Sequence, residues 1–82
     1  MNTKSTPLGW HRHPNGGGLV ENTATVAPTA YVGRDAIVRD HGIVQDHGVV
    51  QDHGIVRDHG VVQGHGIVQG HGIVQGHGMV GG

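Results

Sequence analysis

The stretch "HGIVQGHGIVQGHG", residues 65–78, returns to the same six letters and opens each round with a histidine. Valine keeps the same interval over most of the chain, and its unbroken series is Val20, Val26, Val32, Val38, Val44, Val50, Val56, Val62, Val68, Val74 and Val80. Four residues after each of these valines except the last comes a small residue, alanine in the first units and glycine in the later ones. This six-residue period decides the fold.

A period of six residues is incompatible with a helix. It matches neither the turn of an α-helix nor the heptad of a coiled coil, and each glycine would cost a helix about 1 kcal/mol. Because six is divisible by two, a short strand in each unit can alternate its side chains inward and outward before the chain turns a corner. In "HGIVQ", residues 65–69, we expect Gly and Val inside and His, Ile and Gln outside.

The sixth residue of each unit falls at the bend. The series is Asn22, Pro28, Arg34, Asp40, Asp46, Asp52, Asp58, Gly64, Gly70, Gly76 and Gly82. Gly, Asn and Asp tolerate a positive φ, and Pro fixes a bend, so turn chemistry and core pattern agree on one register. Arg34 is the exception.

From "VENTATVAPTAYVGRDAIV", residues 20–38, onward the chain resembles the hexapeptide-repeat family, in which a small residue stands four places after an aliphatic one. Short bacterial and prophage repeat proteins without a transferase extension are also similar. The resemblance covers residues 19–82 and implies an all-β fold, a single-stranded left-handed parallel β-helix of triangular cross-section. Three units make a coil, which gives about three and a half coils. We expect residues 1–18 to form an irregular N-terminal cap.

Three units per coil would stack residues eighteen apart at about 4.8 Å. The inner columns are then valines with Ala or Gly beside them. The residue before each valine lies on the outside, where a solvated face should be polar. It is apolar or aromatic in nearly every unit, and the series is Tyr31, Ile37, Ile43, Val49, Ile55, Val61, Ile67, Ile73 and Met79. We therefore expect these residues to mediate self-association.

The two ends of the predicted solenoid differ. Leu8 and Trp10 are suited to cover the first coil, and we assign Trp10 as the cap. The sequence ends on "MVGG", which offers no lid, and an uncapped solenoid presents strand-edge N–H and C=O groups to another chain. We expect assembly through the outer faces, the open coil, or both.

Composition excludes several classes of function. The chain has 82 residues, 17 glycines, no Phe and no Cys, so it forms at most one small domain without disulfides or thiolate metal sites. A net charge of -1 gives no basic footprint for nucleic acid. No secretory signal or membrane span is recognisable, so we expect a cytoplasmic protein by default, with a virion or cell-surface assembly left open. We expect no nucleic-acid, membrane or small-molecule substrate partner.

Seven histidines stand in the outward position that opens each strand. Stacking by eighteen predicts three columns, which contain His41, His59 and His77, then His47 and His65, then His53 and His71. Three hypotheses follow. The histidines are edge residues copied with the repeat, or they bind Zn²⁺ or Ni²⁺ with ligands from a second chain, or they sense pH because stacked imidazolium rings repel.

An enzyme is not expected. Acyltransferases of the hexapeptide-repeat family pair a catalytic histidine with an extruded loop, whereas the repeat here runs uninterrupted from Val20 to Val80. The stretch "TATVAPTAYVG", residues 23–33, resembles the γ-class carbonic anhydrases but lacks their longer context. We predict a structural module that self-associates into an oligomer or stacked filament, with no cofactor. The alternatives are a histidine-column metal scaffold and a minimal enzyme of either kind.

Overall fold

The structure is a computed structural model that describes residues 6–81. Every element within this range is a strand. The strands are β1 Trp10–Arg12, β2 Leu19–Glu21, β3 Thr25–Val26, β4 Tyr31–Val32, β5 Ile37–Val38, β6 Ile43–Val44, β7 Val49–Val50, β8 Ile55–Val56, β9 Val61–Val62, β10 Ile67–Val68, β11 Ile73–Val74 and β12 Met79–Val80. This range contains no helix long and apolar enough to cross a membrane.

Strands β2 to β12 wind into a solenoid with three faces. The first face holds β2, β5, β8 and β11, the second β3, β6, β9 and β12, and the third β4, β7 and β10. Each strand pairs in parallel with the strand one coil away, so that Val38 lies opposite Val56 and Val44 opposite Val62. The predicted all-β solenoid is confirmed. Its left-handed winding stays a prediction of the resemblance.

The core is a column of valines along the axis. Nine of the eleven periodic valines are buried: Val20, Val32, Val38, Val44, Val50, Val56, Val62, Val68 and Val74. Val26 and Val80 are only partly buried, although both pack against the core. They belong to β3 and β12, which are the two end strands of the second face.

The corners explain why the bend residue changes along the chain. Asp40, Asp46, Asp52 and Asp58 have φ values of 57 to 59°, and the equivalent Gly64, Gly70 and Gly76 have 58 to 62°. Aspartate and glycine are among the residues that adopt this left-handed conformation most readily. In the first coil Asn22, Pro28 and Arg34 turn the corner without a positive φ.

Carboxylates join successive coils at these corners. Oδ2 of Asp46 accepts the Gly64 N–H at 3.1 Å, and Oδ2 of Asp52 accepts the Gly70 N–H at the same distance. Such charge-assisted bonds satisfy backbone donors that the turn leaves free.

One corner stacks two aspartates, and the sequence compensates for it. Oδ2 of Asp40 accepts the Asp58 N–H at 3.2 Å, which brings two negative side chains onto adjacent coils. Arginine precedes each of them, with Arg39 Nε 3.6 Å from Asp40 and Arg57 Nε 3.7 Å from Asp58. At the other two corners the preceding residue is glutamine in the second and third coils, and it forms the amide pairs Gln45 with Gln63 and Gln51 with Gln69.

The N-terminal arm, residues 6–18, covers the first coil in a way that the sequence did not indicate. Strand β1 pairs antiparallel with β2, whereas the rest of the arm contains neither helix nor strand. His13 is 4 % exposed, and its Nε2 lies 2.8 Å from the Ala30 carbonyl oxygen, to which the Asn15 amide also donates. The Gly18 N–H donates to the Val32 carbonyl. Polar groups thus satisfy first-coil carbonyls.

The expectation that Leu8 helps to cover the first coil is wrong. Leu8 is 99 % exposed, because it lies in a turn before β1 and the arm is attached along the sheet edge by backbone hydrogen bonds. Trp10 lies within β1, opposite Glu21, and is partly buried.

Candidate functional site

The outward residue of each strand forms an apolar ridge along each face. On the first face the ridge is Leu19, Ile37, Ile55 and Ile73, on the second Thr25, Ile43, Val61 and Met79, and on the third Tyr31, Val49 and Ile67. The middle of each ridge is half-buried by its neighbours along the column. Ile67 is 51 % exposed, Ile73 52 % and Met79 64 %. Large apolar side chains therefore face solvent on all three sides.

The faces differ in the polar side chains that flank the ridge. Arg39 and Arg57 follow the ridge residues of the first face, where each pairs with a corner aspartate. On the second face the equivalent positions hold Gln45 and Gln63, joined by an amide hydrogen bond of 3.0 Å. In its second and third coils the second face therefore combines an aliphatic ridge with neutral amides.

Histidines form the other border of each ridge, in the columns that the period predicts. The rings of His41 and His59 stack with centroids 5.4 Å apart and an interplanar angle of 7°. The rings of His59 and His77 continue the column at 5.2 Å and 8°. The remaining pairs stack likewise, His47 with His65 at 5.6 Å and His53 with His71 at 5.2 Å. All seven imidazoles are exposed.

Parallel stacking limits what a column can bind. A ring nitrogen lies about 2.1 Å from a bound zinc ion, so two nitrogens on one ion are at most about 4.2 Å apart. The rings of His53 and His71 are separated by 5.2 Å and lie within 5° of parallel, which directs their nitrogens side by side rather than toward one point. Among residues 6–81, no group of three or more His, Asp or Glu side chains is arranged to hold a metal ion.

Several residues of consequence lie outside the repeat and were not identified from the sequence. His13 is buried against the Ala30 carbonyl, and Arg12 donates from Nη1 to the Gly17 carbonyl at 3.0 Å. In the sequence, only Arg34 indicated that the first coil has a special environment, because it interrupts the series of turn-forming bend residues. The glutamine pairs could have been predicted, since Gln recurs at intervals of eighteen on the second and third faces.

No family model, no curated protein and no solved structure matches the chain.

Proposed function

We propose that this protein is a structural module that associates with copies of itself through its apolar ridges, and that its role is not enzymatic. The observation that carries the proposal is the row of partly exposed apolar side chains along the outside of each face, such as Ile43, Val61 and Met79 on the second face. Rows of exposed apolar side chains are typical of protein interfaces. The seven histidines have equivalent surroundings, so none is distinguished as a catalytic base.

The second face is better suited than the first to be a contact. Its ridge runs through Ile43, Val61 and Met79, and the side chains that border it in these coils are histidines and glutamines. Burying neutral amides and imidazoles costs less than burying guanidinium groups. Association through the first face would require Arg39 and Arg57 to lose water or to leave their aspartates.

We also propose that the chain is a member of the hexapeptide-repeat family. Two features support this proposal. Residues eighteen apart stack on each other, and small residues stand at the inward positions where a Cβ would crowd the valine of a neighbouring coil. A Cβ built on Gly42 would lie 3.0 Å from Val56 Cγ1, and one on Gly60 would lie 2.8 Å from Val74 Cγ1. Small residues at this position let the inner valines of adjacent coils approach each other.

The test is to make one ridge polar with a residue that the repeat already tolerates. Thr25 occupies the outward position at the start of the second face, so Ile43→Thr with Val61→Thr should preserve the coil. We expect this double variant to sediment as a much smaller species than the unmodified chain at the same concentration, since the proposed contact loses its apolar centre.

The matched control is Ile37→Thr with Ile55→Thr, which makes an equivalent change on the first face. We expect it to retain the assembly. Equal sedimentation of the unmodified chain and both variants would refute the proposal that the second face is the contact.

Metal-bridged association is the alternative that the exposed imidazole columns favour. Since one column within one chain does not converge on an ion, the remaining ligands would come from a second copy. Assembly by metal predicts that EDTA reduces the sedimenting mass, whereas assembly through apolar ridges predicts no change.

A further inference from the structure

The hexad around Tyr31 departs from the repeat at several outward positions at once. Tyr31 stands in a ridge position that is aliphatic in the next coil, where it pairs with Val49. Arg34 occupies a corner that holds Asp52 one coil above, and Asp35 stands where the equivalent residue is His53. All three side chains lie outside the valine core, so packing of the core does not account for these changes.

These departures come together at one cleft. An open cleft of about 800 Å³ lies between the N-terminal arm and the third face, and Tyr31, Arg34 and Asp35 line it. The arm contributes Arg12 and the pair Gly16 and Gly17. Pockets for small ligands have volumes of this order, about 300 to 1,000 Å³.

Neither arginine of the cleft forms an ion pair within residues 6–81. Arg12 is positioned by its hydrogen bond to the Gly17 carbonyl, which leaves its charge unpaired. In the part of the chain that the structure describes, ion pairs within 4.0 Å involve only Arg39 and Arg57. Two arginines and one acidic residue, Asp35, therefore line a single cleft.

The arm is shaped to bring these groups beside an aromatic ring. Gly16 has a φ of +111°, and a Cβ on it would collide with the Val32 carbonyl and lie 3.0 Å from Tyr31 Cε1. Gly17 has a φ of +80° and open space where a Cβ would be. Only glycine allows the chain to pass this close to the tyrosine. Tyr31 nevertheless remains 37 % exposed.

We propose that this cleft binds a small aromatic phosphate of nucleotide size. Guanidinium groups bind phosphate through paired N–H donors, which assigns the phosphate to Arg12 and Arg34. The ring of Tyr31 offers an apolar surface for a planar group. Asp35 accepts a hydrogen bond from an amino or hydroxyl group of the ligand and disfavours a ligand that places negative charge there.

Calorimetric titration with adenosine 5′-monophosphate, adenosine and inorganic phosphate tests the proposal. The monophosphate combines both recognised parts, so we expect it to bind at least about tenfold more tightly than either of the other two probes. Absence of binding by the monophosphate, or equal binding of inorganic phosphate, would overturn the proposal.

Two variants restore the repeat and therefore leave the coil intact. Arg34→Asn introduces the residue found at the bend of the first unit, Asn22, and Tyr31→Ile introduces the usual ridge residue. We expect each to weaken binding of the monophosphate by about tenfold or more.

Arg57→Gln is the matched control, because it removes a guanidinium group outside the cleft at a position where other units of the repeat have Gln. We expect it to bind as the unmodified chain does. An equal loss in Arg57→Gln and Arg34→Asn would show nonspecific charge attraction and overturn the assignment.

Discussion

At the scale of the residue, inward and outward side chains contribute differently to stability. Strand β7 allows a direct comparison, because both of its residues are valine. Val50 is fully buried, whereas Val49 is half-buried on the third face. Removing two buried methyl groups loses about 2 kcal/mol of transfer free energy, and the cavity adds to this loss.

We therefore predict that Val50→Ala lowers the free energy of unfolding by about 2 to 3 kcal/mol. Val49→Ala should lower it by less than half as much. Urea denaturation of both variants at one fixed protein concentration checks this. Equal losses would show that the two valines do not differ in burial.

The corner residues give a second prediction at this scale. Asp52 has a φ of 58°, and its carboxylate accepts the Gly70 N–H. Asp52→Ala and Asp52→Gly both remove the carboxylate, but only alanine has a Cβ that is strained at this φ. We expect the alanine variant to be about 1 kcal/mol less stable than the glycine variant, measured by urea denaturation. A more stable alanine variant would contradict the left-handed corner.

At the scale of the element, the eighteen-residue register arranges the histidine rings into columns. Neighbouring rings in a column lie 5.2 to 5.6 Å apart and within 8° of parallel.

The solenoid elements could be predicted because one local rule repeats along them. The period of Val38, Val44 and Val50 specifies which side chains point inward, and stacking by three units then assigns the partners of every histidine ring. The arm could not be predicted in this way. The arm pairs antiparallel with β2 and buries His13 through groups that occur only once in the sequence. Leu8 and Trp10 indicated an apolar cover instead.

At the scale of the whole molecule, the same alternation that builds the core creates the surface. Every inward valine is preceded by an outward side chain, so a chain that repeats "IV" must expose one aliphatic residue for each one it buries. The cleft beside Tyr31 was not foreseen at this scale, since it forms only when the arm lies against the third face. The ridges were foreseen, because they require nothing beyond the register.

Sedimentation equilibrium of the unmodified chain near pH 8, from about 5 to about 200 μM, tests whether these ridges join copies of the chain. We expect a mass that is a multiple of the 8.5 kDa chain and that persists in EDTA. A mass of 8.5 kDa across the whole concentration range would contradict it.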